Sequence, residues 1–207
     1  LIHGIKFQSS VLFNEEVISE LSQIDLSHCS LILNIAAQSL DTIEQRIESL
    51  KNRLQPKTIY LEIGFQAYPT ELTDSGLSKM KALQERFNYP LVFADHLEGS
   101  STDSVVLPLL AWQQGASILE KHVMLSDRET KYDHFSSMTP EQFEILDQTL
   151  ERYATAAQAP FINAREEEYL AKTVMIPVLK NPKSAGDLIH PLNDIFYRRS
   201  GKEGLTL

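Results

Sequence analysis

The chain has 207 residues, of which 43% are apolar and 23% are charged. This is the composition of an ordinary globular protein, and it excludes disordered chains, collagen-like repeats and disulfide scaffolds. A formal net charge of −9, with no basic run longer than Arg198-Arg199, disfavours nucleic-acid binding.

The cysteine count and the lengths of the apolar stretches further restrict the class of protein. Cys29 is the only cysteine, so neither an internal disulfide nor a cysteine-based zinc site is expected, and the cytoplasm is the predicted compartment. The longest apolar stretches, such as residues 105–112, are far shorter than the roughly 20 residues of a membrane span. Because the chain starts at Leu1 with a strand-like segment close behind, we expect it to be the interior of a longer protein.

Strand-like and helix-like segments alternate through the first three quarters of the chain, which is typical of parallel β/α units. The predicted strands are residues 5–8, 30–35, 58–63, 91–94 and 117–121. The predicted helices are residues 14–21, 39–54, 73–87, 102–114 and 139–153. In the second helix Ser39 is the predicted N-cap, and Ile43, Ile47, Leu50 and Leu54 form its apolar stripe.

Five parallel units are too few to close an eight-stranded barrel. Either the sheet is open and doubly wound, or three further units precede Leu1. After Gln158 the pattern changes, because prolines separate short apolar runs. We therefore predict a barrel-type portion over residues 1–158 and, over residues 159–207, a linker followed by a smaller, β-rich module.

Polar side chains follow the fourth and fifth predicted strands, where parallel β/α folds bind ligands. The fourth strand ends in Ala94-Asp95-His96, and the fifth ends in Glu120-Lys121-His122. Two histidines leaving neighbouring strands at one edge can share a metal ion. The alternative is that each histidine only bonds a nearby loop.

Other polar residues lie at the remaining strand ends. Lys6 and Ser9 flank the end of the first strand, where a lysine suits an anionic substrate, and Gln66 and Tyr68 leave the third strand. Asp133, in the loop after the fifth strand, could bring a carboxylate to a metal or a substrate hydroxyl. Each has a simpler alternative. Lys6 could be a solvated surface residue, Gln66 and Tyr68 could only shape the turn before Pro69, and Asp133 could hydrogen-bond within its own loop.

Four motifs in order carry a family resemblance. Residues 118–122 (Ile-Leu-Glu-Lys-His), with Asp133-His134 and residues 137–143 after them, resemble the strand-eight signature of the sialic acid synthase family. Residues 67–70 and 93–96 resemble the strand-six and strand-seven motifs of that family, and the match extends over residues 3–155. Residues 165–205 resemble the first part of the antifreeze-like (SAF) domain that follows its barrel.

The resemblance implies an α/β fold in which this chain holds strands four to eight of a TIM barrel, followed by a small SAF (β-clip) module. It thereby favours missing upstream units over an open sheet. It also implies a transferase activity that condenses phosphoenolpyruvate with an N-acylated amino sugar aldehyde. The products are phosphate and a sialic-acid-like 2-keto acid for a surface polysaccharide.

The family's functional residues match positions in this chain. The resemblance implies that His96 and His122 hold a manganese or magnesium ion and that Asp133 and Lys6 are catalytic. It further implies a swapped homodimer, in which an arginine reaches the site from the partner subunit. The implied substrate contacts are Lys6, Ser9, Gln66, Tyr68, Asp133 and Arg199.

Several positions depart from the family pattern. Ala94 replaces the usual serine, Val11 replaces an acid, residues 34–36 (Asn-Ile-Ala) replace Ser-Thr-Gly, Gln66 replaces asparagine, and the Gly-Pro before Asp133 is lost. We therefore expect an acceptor sugar other than N-acetylmannosamine, with the spore-coat polysaccharide branch as one candidate. A barrel that has lost catalysis and binds a sugar or a partner, and a metal-dependent aldolase, are the alternative hypotheses.

Overall fold

A computed structural model of the protein describes residues 2–64, 67, 69–125 and 131–199. The chain divides into two compact units, Leu1–Arg152 and Tyr153–Leu207. Across the described ranges, no helix is both long enough and apolar enough to cross a membrane.

Strands and helices alternate from the start of the chain, as predicted. The strands are β1 (Gly4–Phe7), β2 (Ser30–Asn34), β3 (Thr58–Ile63), β4 (Leu91–Asp95), β5 (Ala116–Val123) and β6 (Ser137–Met138). The helices are α1 (Glu15–Leu21), α2 (Leu40–Leu54), α3 (Lys79–Arg86), α4 (Asp103–Gln113) and α5 (Pro140–Ala157). The five predicted β/α units are therefore confirmed, and the two-residue strand β6 is an addition.

The six strands form one parallel sheet in the order β1-β2-β3-β4-β5-β6. This sheet curls. Lys6 Nζ on β1 lies 2.6 Å from Glu120 Oε1 on β5, although three strands lie between them. In a flat sheet the two backbones would be about 19 Å apart, more than these side chains span together. The sheet is thus bent like part of a barrel, with Lys6 and Glu120 on its concave face.

The hydrophobic core lies between the convex face of the sheet and the helices. Leu31 and Leu33 of β2 alternate with less buried residues, as a strand covered on one face requires. The predicted α2 stripe lies in the same cluster. Its members, all at most 4% exposed, are Ile43, Ile47, Leu50 and Leu54.

One helix begins later than predicted. The expected helix over residues 73–87 is a 3₁₀ turn (Leu72–Asp74) followed by α3, which starts only at Lys79. Gly76 lies between them with φ of +78°, a conformation that a right-handed helix cannot contain. The positive φ at Gly76 therefore separates the turn from the helix.

The second unit contains α6 (Ala164–Thr173), β7 (Met175–Leu179), a short helix α7 (Pro191–Asp194) and β8 (Ile195–Arg199). β7 and β8 pair antiparallel. Helix α6, which was not predicted, begins with a complete capping box between Asn163 and Glu166. The assignment of this unit to the SAF family stays a prediction.

Candidate functional site

Charged and polar side chains line the concave face at the carboxyl ends of the strands. The register pairs Asn34 with Glu62, and Ala94 with Glu120. Since side chains two residues apart on a strand share a face, His122 lies on the same face as Glu120. The curl of the sheet therefore gathers residues from β1, β2, β3 and β5 into one concavity.

The two histidines predicted to act together do lie together. The ring centroids of His96, which directly follows β4, and His122, near the end of β5, are 5.1 Å apart. His122 Nδ1 lies 3.7 Å from Asp133 Oδ2. Burial lowers the pKa of His96, and the neighbouring His122 lowers it further, against the opposing influence of Asp95. This favours the neutral imidazole, which is the form that binds metal ions.

These residues fit a divalent metal in the chemistry of their donor atoms. Two imidazoles and a nearby carboxylate, that of Asp133, suit a transition-metal ion. In the part of the chain that the structure describes, no three His, Cys, Asp or Glu side chains converge into a complete ligand set.

Backbone and serine hydrogen bonds hold the loops that carry these groups. The carbonyl of His96 accepts hydrogen bonds from Ser136 Oγ at 2.7 Å and from the Thr70 backbone N–H at 2.8 Å. Asp133 has φ of +60°, a left-handed conformation that aspartate tolerates. Its carbonyl accepts a hydrogen bond from Ser137 Oγ at 2.7 Å. The 133–137 segment is therefore tied both to itself and to the loop after β4.

Lys6 is held between two carboxylates. Its Nζ lies 2.9 Å from Glu62 Oε2 and 2.6 Å from Glu120 Oε1, and Asn34 Nδ2 donates to Glu62 Oε1 at 2.8 Å. Burial alone would lower the pKa of Lys6, but the hydrogen bonds and charges of Glu120 and Glu62 together raise it. The ammonium is therefore charged and fixed in direction.

Glu62 was missed by the sequence reasoning. It is the only charged residue in the apolar strand β3, and it is 1% exposed. A lone charge inside an apolar run was the available signal, because buried carboxylates need a partner. The identity of that partner, Lys6 on β1, depends on the curl of the sheet and is not visible in the sequence.

The remaining predicted substrate contacts are Ser9, Arg199, Gln66 and Tyr68. Ser9 donates its hydroxyl hydrogen to the Ala36 carbonyl at 2.6 Å and accepts from Gln38 Nε2 at 3.0 Å, so it joins the loops after β1 and β2. Arg199 is the exposed last residue of β8, in the second unit. The predicted contacts Gln66 and Tyr68 lie outside the described residues.

Comparison with known proteins finds similar chains among named synthases. The N,N'-diacetyllegionaminic acid synthase of Legionella pneumophila is 28% identical over 134 residues, which cover 60% of this chain and 36% of that protein. The chain thus spans about a third of the length of this curated relative.

Two solved structures share the fold. An N-acetylneuraminic acid synthetase from Leptospira borgpetersenii aligns with a TM-score of 0.65 at 23% identity, covering 81% of this chain and 56% of that one. A putative spore coat polysaccharide biosynthesis protein E from Chromobacterium violaceum aligns with a TM-score of 0.66 at 18% identity, covering 95% and 56%.

A family model agrees with these relatives and with the sequence motifs. The model described as the NeuB family matches residues 2–160, which is most of the chain and contains all the strands of the curled sheet. The protein belongs to the NeuB family.

Proposed function

We propose that the protein is a metal-dependent synthase that condenses phosphoenolpyruvate with an N-acylated amino sugar aldehyde. The products are phosphate and a sialic-acid-like 2-keto sugar acid for a surface polysaccharide. The observation that carries the proposal is the gathering of a histidine pair (His96 and His122), a carboxylate (Asp133) and a charged lysine (Lys6) at the carboxyl ends of a curled parallel sheet. Membership of the NeuB family and the synthase names of relatives support it.

Each of these groups has a role that suits its chemistry. Lys6 binds the phosphate or carboxylate of phosphoenolpyruvate. His96 and His122 hold the metal, which when bound polarises the acceptor aldehyde. We propose manganese or magnesium as this metal, as the family resemblance implies. The π electrons of the enol form the bond from carbon three to the aldehyde carbon, and the aldehyde oxygen takes up a proton to become a hydroxyl. Asp133 orients the water that adds at carbon two and loses a proton, and the bond between carbon two and the phosphate oxygen then breaks to leave the 2-keto group and free phosphate.

The acceptor sugar is set by other positions on the same face. Asn34 and Ala94, which replace family serines, are both buried at the mouth of the concavity. We propose an acceptor of the spore-coat polysaccharide type, with Ser9, Gln66 and Tyr68 as further substrate contacts. Arg199 would reach the site of a partner subunit in a swapped homodimer.

A non-catalytic sugar- or partner-binding barrel is the second candidate, and two observations favour it. Val11, where the family has an acid, packs against the hydrophobic core, and Ala94 is 3% exposed. Neither position supplies the polar group that the resemblance leads us to expect.

The deciding experiment uses the full-length gene product. Phosphate release from phosphoenolpyruvate is measured with manganese and a panel of N-acylated hexosamines, beside His122→Ala. Release that requires both the sugar and His122 supports the synthase. Folded, manganese-binding protein that releases no phosphate across the panel points to an acceptor outside the panel. Folded protein that neither binds manganese nor releases phosphate favours the second candidate.

A further inference from the structure

The two carboxylates that contact Lys6 differ in how firmly they are held. We propose that Glu62 is a positioning residue that anchors Lys6, whereas Glu120 is the partner that an anionic substrate displaces. The inference rests on the proposed function, because it takes phosphoenolpyruvate as that anion. It assigns opposite effects to two glutamates that contact the same ammonium.

Glu62 is held by burial and by two partners. Its side chain is 1% exposed, its Oε1 accepts a hydrogen bond from Asn34 Nδ2 at 2.8 Å, and its Oε2 forms an ion pair with Lys6 Nζ at 2.9 Å. Asn34 is itself 3% exposed, and its Oδ1 accepts from the Ala36 backbone N–H at 3.1 Å. If Lys6 left, Glu62 would keep a buried charge without compensation, which is strongly unfavourable.

Glu120 can be solvated by water in place of its contact with Lys6. Its side chain is 39% exposed, so its carboxylate can turn to water when another anion takes its place. Exposed ion pairs contribute little, because water solvates both charges well. The Lys6 side chain is 29% exposed, so the two glutamates do not enclose it completely.

Displacement of Glu120 also reduces the negative charge that phosphoenolpyruvate meets at Lys6. Lys6 with both glutamates carries a net charge of −1, which repels phosphoenolpyruvate. When Glu120 turns away, Glu62 keeps the ammonium in place and the substrate anion occupies the vacated side. The reaction then has a lysine whose direction does not depend on the substrate.

The test measures the dissociation constant of phosphoenolpyruvate by calorimetry, without acceptor sugar and at one manganese concentration. We expect Glu120→Gln to bind about two- to fivefold more tightly than the unmodified protein, because a competitor is removed. We expect Glu62→Gln to bind about tenfold more weakly, because the anchor has lost its charge. Glu98→Gln, which removes one exposed negative charge in the loop after β4, is the control for net charge.

A double-mutant cycle separates positioning from general structure. If Glu62 acts through Lys6, Glu62→Gln adds nothing to the weakening caused by Lys6→Met. Shifts of the same sign for the two glutamate variants, or full additivity in the cycle, overturn the inference. If Glu62→Gln does not fold, the Glu120→Gln arm decides alone, and unchanged or weaker binding overturns the inference.

Failure of the reaction is distinguishable from failure of this inference. Protein that binds phosphoenolpyruvate with the expected opposite shifts but releases no phosphate refutes only the synthase reaction. Protein that does not bind phosphoenolpyruvate refutes both.

Discussion

A second buried ion pair has a structural role because of the face of the sheet on which it lies. Asp95 and Lys121 pair in the register of β4 and β5, one residue away from the concave-face pair Ala94 and Glu120. They therefore lie on the opposite face, with side chains 1% and 3% exposed. Burial lowers the pKa of Lys121, against the charge and hydrogen bond of Asp95. This pair is structural, although its members adjoin the site residues in sequence.

We expect Asp95→Asn and Lys121→Met each to lower the free energy of unfolding by about 3 kcal/mol, because each leaves a buried charge alone. The double variant, which removes both charges, should lie closer to the unmodified protein than the sum of the single losses. Urea denaturation of the four proteins measures this. Additive losses would contradict the coupling.

Gly99 is required for a close approach near the histidine pair. A Cβ at this position would lie 2.0 Å from the Ser137 carbonyl oxygen. The backbone N–H of Gly99 donates a hydrogen bond to the Phe135 carbonyl at 2.7 Å. We expect Gly99→Ala to cost about 2 to 3 kcal/mol of stability, because backbone must move. Thermal denaturation tests this beside the exposed neighbour variant Ser100→Ala, and equal midpoints for the two variants would refute it.

At the scale of elements, α2 is explained by its own sequence. Ser39 Oγ accepts the Thr42 backbone N–H at 3.2 Å, and the four apolar residues of the stripe are buried. We expect Ser39→Ala to lower stability by about 1 kcal/mol, whereas Ser39→Asp retains an acceptor and costs less. Urea denaturation of both variants measures the difference, and an equal loss in the two would show that the cap is unimportant.

Elements were mispredicted where local signals competed. Helix α5, which was predicted, begins with a capping box in which the Thr139 N–H donates to Gln142 Oε1 at 2.8 Å. By contrast, α6 follows an equally good cap at Asn163 that the prolines around it concealed. The late start of α3 depends on the backbone angle of one glycine, Gly76, and a helical stripe does not report such an angle.

At the scale of the molecule, the proposed metal links binding to stability. An ion that binds only the folded state stabilises it by about 2.7 kcal/mol at a hundredfold excess over its dissociation constant. We expect manganese to raise the thermal unfolding midpoint of the full-length gene product, and His96→Ala and His122→Ala to abolish the rise. The exposed residue His28, changed to alanine, is the matched control. A rise that persists in both site variants would show that the ion binds elsewhere.

The sequence by itself determined the β/α alternation, the N-cap of α2 and the polar residues at the strand ends, because periodicity and capping are local properties of the chain. It also carried the NeuB motifs, since these are short and lie in order. Only the tertiary structure decided that Lys6 on β1 meets Glu62 and Glu120, and that Asp95 and Lys121 face away from His96 and His122. The physical reason is that curl and register bring together residues far apart in the chain, up to 114 positions for Lys6 and Glu120, and no local pattern encodes either one.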